Sequence, residues 1–153
     1  SADSLGAISY LFTTYEYTGG ANGNIQVNSF SFGKNNPRIL VEDILDFSEN
    51  KDIALSRLLA EQALSDTTLF FKDFVDIGLG LAYLKADGVT LDKAKCGCDG
   101  YFFGSNFQNF VVEDRGLAFY FNKYAIAPGA AGITRIALSW EQLRPYLKKP
   151  LPF

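Results

Sequence analysis

Residues 8–17, Ile-Ser-Tyr-Leu-Phe-Thr-Thr-Tyr-Glu-Tyr, restrict the fold more than any other stretch of the chain. Ile8, Tyr10 and Phe12 alternate with Ser9 and Thr13, and β-branched and aromatic types dominate, so residues 5–17 are expected to form a long strand. The glycine cluster at 19–23 ends it. A second strand is expected from Ile25, with Ile25 and Val27 on one face and Phe30 and Phe32 on the other. That change of phase predicts a bulge or twist near Asn28. Gly33 to Pro37 reads as a loop, and residues 38–41 as a short strand that runs into an acidic turn at Glu42 and Asp43.

The period then changes. From Lys51 to Ser65, the apolar positions Ile53, Leu55, Leu58, Leu59, Ala63 and Leu64 keep helical spacing, with Ser48 or Asn50 as N-cap. The first half of 67–84 is read as helix. Gly and Asp residues punctuate 85–106 as a loop around Cys96 and Cys98. Residues 107–112 and 117–121 form an aromatic hairpin about Glu113-Asp-Arg-Gly116. Residues 133–138 follow as a strand, and Ser139-Trp-Glu-Gln142 has the capping-box pattern of a last helix at 140–147. The expected fold is a single α+β domain over residues 1–153. It has a mostly antiparallel twisted sheet of four to six strands, packed against the main helix at 51–65, with a short C-terminal helix near one end.

Length and composition support a folded core. A chain of 153 residues buries roughly 70% of its unfolded surface, and with 14 Phe and 8 Tyr the packing should be aromatic. The net charge of −3 provides no basic cluster for a phosphate backbone, which argues against nucleic acid. Charge is uneven: residues 1–100 hold 8 Lys/Arg against 14 Asp/Glu, net −6, and 101–153 hold 6 against 3, net +3. An acidic N-terminal two-thirds suits a basic protein partner. No apolar run reaches the 18 or so residues of a membrane span. The chain has no Met, so its N-terminus is expected to come from cleavage or deliberate truncation, with an upstream signal, anchor or domain removed.

Catalytic chemistry finds little support. The chain has no His, which removes the commonest general base and metal ligand. Cys96-Gly-Cys98 cannot fill a four-ligand zinc site and lacks the Cys-x-x-Cys redox spacing. A disulfide, a bridge to another chain and two free thiols all stay open. Ser48-x-x-Lys51 matches a penicillin-binding nucleophile pair at a helix start, yet its companion motifs are missing and Ser is what an N-cap requires. Gly78-Leu-Gly80 lacks the third glycine of a dinucleotide fingerprint. No catalytic residue, metal site or cofactor is expected.

Three stretches carry a resemblance to a known family. Tyr15-Glu-Tyr-Thr-Gly-Gly-Ala-Asn-Gly23 resembles a Tyr-Thr-Gly-Gly-Ala-His-Gly signature that follows a first strand, and Leu40-Val-Glu-Asp-Ile-Leu45 is similar to a second element. The run from Phe107 to Gly132, which includes Gly116-Leu-Ala-Phe-Tyr-Phe-Asn122 and Tyr124-Ala-Ile-Ala-Pro128, is the most specific. The family is a bacterial domain of unknown function, found as the C-terminal part of the lysozyme-sensing anti-sigma-V factor ectodomain and in some peptidoglycan deacetylases and lipoproteins. Asn22 stands where the family has His, and Gly129 where it often has Tyr. The resemblance implies a non-catalytic extracytoplasmic recognition or sensing module of a bacterial envelope protein. It would be preceded by a small α/β domain, held at the membrane only through an upstream anchor, and bound to lysozyme or peptidoglycan. The alternatives are an accessory or cryptic peptidoglycan-active enzyme domain, or a structural partner of an N-terminal neighbour. The 17–24 loop and the 124–132 crossover are expected to lie together, with Tyr17, Thr18, Gly19, Gly20, Asn22 and Tyr124 as the candidate binding residues.

Overall fold

The computed structural model describes residues 5–19, 23–35, 37–65 and 70–153. The alternating stretch forms β1 (Ile8–Glu16), which pairs antiparallel with β2 (Asn24–Phe32) in unbroken register from Ile8 opposite Phe32 to Glu16 opposite Asn24. No bulge interrupts it near Asn28. The phase change in β2 has another cause, because both faces of this hairpin carry apolar groups. Val27 is buried toward the core, while Phe30 and Phe32 face outward, against Phe12 and Tyr10 at 5.6 and 6.1 Å between ring centres. β3 (Arg38–Ile39) completes the first sheet, in the order β1-β2-β3. The acidic turn after it is a short helix, α1 (Val41–Ile44).

α2 (Lys51–Ser65) occupies the predicted span and buries Ile53, Leu55, Leu59 and Ala63. Ser48 is no simple cap for it: its hydroxyl donates to Asp46, which also binds Lys51. α3 (Lys72–Gly78) follows, and the expected loop contains one helical turn, α4 (Lys93–Cys96). Residues 103–107 form a 3-10 turn, so the next strand, β4 (Phe110–Glu113), begins later than its sequence suggests. β5 (Gly116–Phe121) and β6 (Thr134–Ser139) complete a second antiparallel sheet, in the order β4-β5-β6. Ser139 and Gln142 form the predicted capping box at α5 (Trp140–Leu143), after which Pro145 limits the helix to a 3-10 turn at Arg144–Tyr146.

The class is α+β, with six strands among the described residues divided between two three-stranded sheets. Alternation on the second sheet buries Leu117, Phe119, Ile136 and Leu138, which join Leu55, Leu59 and Ala63 of α2 in the main core.

The sheets meet where each would leave backbone groups unpaired, and side chains substitute for a missing strand. Asn109, just ahead of β4, accepts from the Ser29 N–H at 3.2 Å and donates to the Val27 carbonyl at 3.1 Å. Asn122, just after β5, accepts from the Val27 N–H at 2.7 Å. In return, Ser9 of β1 accepts from the Val112 N–H at 3.0 Å and shares a 2.7 Å hydroxyl contact with Ser31. Satisfying buried backbone groups in this way avoids a penalty of about 1–3 kcal/mol for each one.

Candidate functional site

The far end of the β1–β2 hairpin meets the crossover between β5 and β6. Tyr17 is 64% exposed, and Thr18 and Gly19 are exposed beside it. Gly20 and Asn22 lie outside the described residues. The Tyr15 ring closes over Gly23, where a Cβ would overlap it. From the crossover, Lys123 donates to the Gly23 carbonyl at 3.4 Å, and its ammonium lies 5.2 Å from the centre of the Tyr124 ring. The two segments are therefore neighbours, with Lys123 as the link.

Tyr124 has φ +69°, a left-handed conformation that costs a bulky side chain about 1 kcal/mol or more. Its ring is packed on Gly129, where any Cβ would collide with it, and yet the residue is 64% exposed. Gly129 in place of a larger residue is what lets the ring lie down on the crossover. The segment is anchored from behind by Ile126 and Ala127, which are buried. Tyr15, Tyr17 and Tyr124 thus present exposed rings at one end of the molecule, with a cation among them. Sequence reading identified Tyr17 and Tyr124, but missed Tyr15 and Lys123. The signal for Lys123 was its position between Asn122 and Tyr124 in the most specific motif.

Beside the crossover lies a cleft of about 190 Å³, walled by Asn106, Gln108, Asn109, Asn122 and Tyr120. Its amides are largely occupied. Asn109 and Asn122 cap β2, and Asn106 donates to Ser56 Oγ and to the Leu79 carbonyl, both at 3.0 Å. Gln108 donates to Glu42 at 2.7 Å. The cleft is mainly the seam that joins the two sheets.

The other polar groups singled out in the sequence, Ser48, Lys51, Cys96 and Cys98, have structural partners. Ser48 and Lys51, the weak nucleophile pair, converge on Asp46. The Lys51 ammonium, more than the Ser48 hydroxyl and amide beside it, holds the Asp46 carboxyl well below the usual carboxylate range. Asp46 in turn raises the pKa of Lys51, which keeps the amine charged and unsuited to act as a base. Glu113 binds Arg135 through both carboxylate oxygens at 2.7 Å. Gly78 of Gly78-Leu-Gly80 abuts the Ala125 carbonyl, a close-packing role. Cys96 and Cys98 are joined as a disulfide. Among the described residues, no group of three or more His, Cys, Asp or Glu could hold a metal ion, and no helix is long and apolar enough to cross a membrane.

Residues 97–141 match the family model described as "Protein of unknown function (DUF3298)". This segment contains the hairpin and the crossover just described. The fold is similar to the crystal structure of a DUF3298 family member from Bacteroides fragilis, with 25% identity and a TM-score of 0.60, over 94% of this chain and 49% of that one. It is also similar to a DUF3298 family protein of Pseudomonas aeruginosa, with 14% identity and a TM-score of 0.58, over 95% of this chain and 57% of that one. The chain spans about half the length of these structures. No curated protein matches the sequence.

Proposed function

We propose that this DUF3298-type domain is a non-catalytic recognition module of a bacterial envelope protein, and that it engages its partner through the tyrosine-lined end where the β1–β2 hairpin meets the crossover. The observation that carries this reading is Tyr124. A bulky residue held at φ +69° with most of its surface in water gives up stability that Asn or Gly would recover at that position. Strain retained on an exposed aromatic side chain is the pattern of a binding residue. Tyr17, Tyr15 and Lys123 supply the rest of the surface, and tyrosine rings with a polar tip suit either a protein surface or the faces of sugar rings.

The disulfide supports a location outside the cytoplasm, since such bonds persist in oxidising compartments. The net charge of −6 on residues 1–100 would steer a basic partner such as lysozyme toward the domain, and peptidoglycan is the other candidate.

Titration calorimetry with lysozyme, and separately with soluble peptidoglycan fragments, at low and high salt tests the reading. Binding to one of them is expected, and it should be weakened at least tenfold in Tyr124→Asn although that variant melts no lower than the parent. No heat with either partner, or full binding by Tyr124→Asn, would overturn it.

A further inference from the structure

We propose that the outer edge of β1 is a docking edge for a second copy of this chain, which pairs its own β1 antiparallel to the first to form a two-fold dimer. β2 directs the N–H and C=O groups of Val27 and Ser29 away from β1, toward Asn109 and Asn122, and pairs Ser31 with Ile39. The alternate residues of β2 therefore bond to Ile8, Tyr10, Phe12, Thr14 and Glu16 of β1. The backbone groups of Ser9, Leu11, Thr13 and Tyr15 point to the outer side, where β1 has no neighbour in its sheet among the described residues.

This edge lacks the usual defences. A nine-residue strand with no Lys, no Pro and no bulge is a template for another strand. Its sequence is that of a covered strand, yet Ile8, Tyr10, Leu11, Phe12 and Tyr15 are 45, 51, 41, 56 and 65% exposed. Large apolar side chains present roughly 150–250 Å² each, so half-exposure leaves about 450 Å² per copy and about 900 Å² in a pair, before the backbone is counted. That approaches the ~1,000 Å² that a specific interface must reach.

Charge favours the antiparallel arrangement. Glu16 is the one ionisable carboxylate in the strand. The register that keeps all nine residues of both strands paired places Phe12 opposite its own copy, Leu11 opposite Thr13, Tyr10 opposite Thr14 and Ile8 opposite Glu16. The two carboxylates then lie roughly 27 Å apart, at about 3.4 Å per residue, whereas a parallel pair would set them side by side. The axis brings the Phe12–Phe30 ring pairs of the two copies together on one open face.

Sedimentation equilibrium on the intact chain tests the proposal. The parent is expected to dimerise within roughly 1–100 µM. Leu11→Lys with Thr13→Lys sets lysines opposite lysines and should leave a monomer; Leu11→Glu with Thr13→Glu should do the same. An equimolar mixture of the two should restore a dimer, because each Lys then meets a Glu. Both positions are exposed, and circular dichroism checks the fold of each variant. Thr13→Pro, which deletes an outward N–H and spares the β1–β2 ladder, should also be monomeric. A parent that stays monomeric at about 500 µM, double variants or a Thr13→Pro variant that still dimerise, or a mixture that stays monomeric would each overturn it.

Discussion

Replacing Asn109 by alanine removes the amide that stands in for a strand beside β2. Two groups lose their partner at once: the Ser29 N–H, now 3.2 Å from the amide oxygen, and the Val27 carbonyl, 3.1 Å from the amide nitrogen. Both residues are buried, with Val27 at 0% and Ser29 at 9% exposure, so water replaces the amide poorly. At about 1–3 kcal/mol for each orphaned group, the loss is roughly 2–6 kcal/mol. Asn109 itself is only half-buried, which places the expected value near the lower end, at about 2–3 kcal/mol. For a chain of this size that corresponds to a melting point lower by about 5–10 °C. Urea titration with a constant m-value would measure it. Asn109→Asp distinguishes hydrogen bonding from packing, because it has the same shape and can still accept from Ser29. Its charged form can only present an oxygen to the Val27 carbonyl. At neutral pH the Asp variant should therefore be no more stable than the Ala variant. It should recover relative to Ala below about pH 4, where a protonated carboxyl can donate. An Ala variant within about 0.5 kcal/mol of the parent, or an Asp variant as stable as the parent at neutral pH, would refute the strand-substitute account.

Other outcomes follow from single contacts. A Cβ at Gly116 would run into the Leu138 carbonyl across the β5–β6 ladder, so Gly116→Ala should lower stability by about 2 kcal/mol or more in a urea titration. An unchanged midpoint would contradict the close approach. The Asp87 carboxyl is lowered from 3.8 to about 2, first by the Thr90 hydroxyl and then by the amides of Thr90 and Val89. Its folded pKa lies below its unfolded one, so it contributes stability that is present above 3.8 and is lost as pH falls toward about 2. Asp87→Asn should flatten that part of the acid profile, and a measured Asp87 pKa near 3.8 would remove the cause. The Cys96–Cys98 pair should show no alkylatable thiol until reductant is added, and because the loop it closes is so short, reduction should cost less than about 2 kcal/mol in stability. Zinc found by elemental analysis would contradict the disulfide.

The two periods in the sequence were readable because each is a local property. Alternation at Ile8, Tyr10 and Phe12 is enough to define a strand, and the 3.6-residue pattern from Ile53 to Leu64 is enough to define α2. The Ser139–Gln142 capping box was readable for the same reason, since both partners sit within one helical turn. Errors appear where the deciding contact is distant in the chain. Residues 107–109 have the composition of a strand, but Phe107 is wholly buried in a 3-10 turn, and Asn109 must aim its amide at Val27, 82 residues away. The phase change in β2 has the same origin. An observer of β2 alone sees apolar groups change face at Asn28 and infers a bulge, because nothing local reveals that one face meets the core while the other carries Phe30 and Phe32 against β1.

The same distinction separates the legible half of the candidate site from the hidden half. Glycines and Pro128 mark 17–24 and 124–132 as turns, and Tyr17 and Tyr124 stand out as aromatics beside them. The role of Lys123 depends on Gly23, 100 residues earlier, and could not be read from its neighbours. The left-handed conformation of Tyr124 was also hidden, since sequence preference would place Gly or Asn there and tyrosine among the last choices. That conflict between local preference and observed backbone is what gives the position its value. Consistency between the two is the rule in a stable fold, and a breach of it on an exposed ring packed against Gly129 is the observation on which the proposed partner contact of Tyr124 rests.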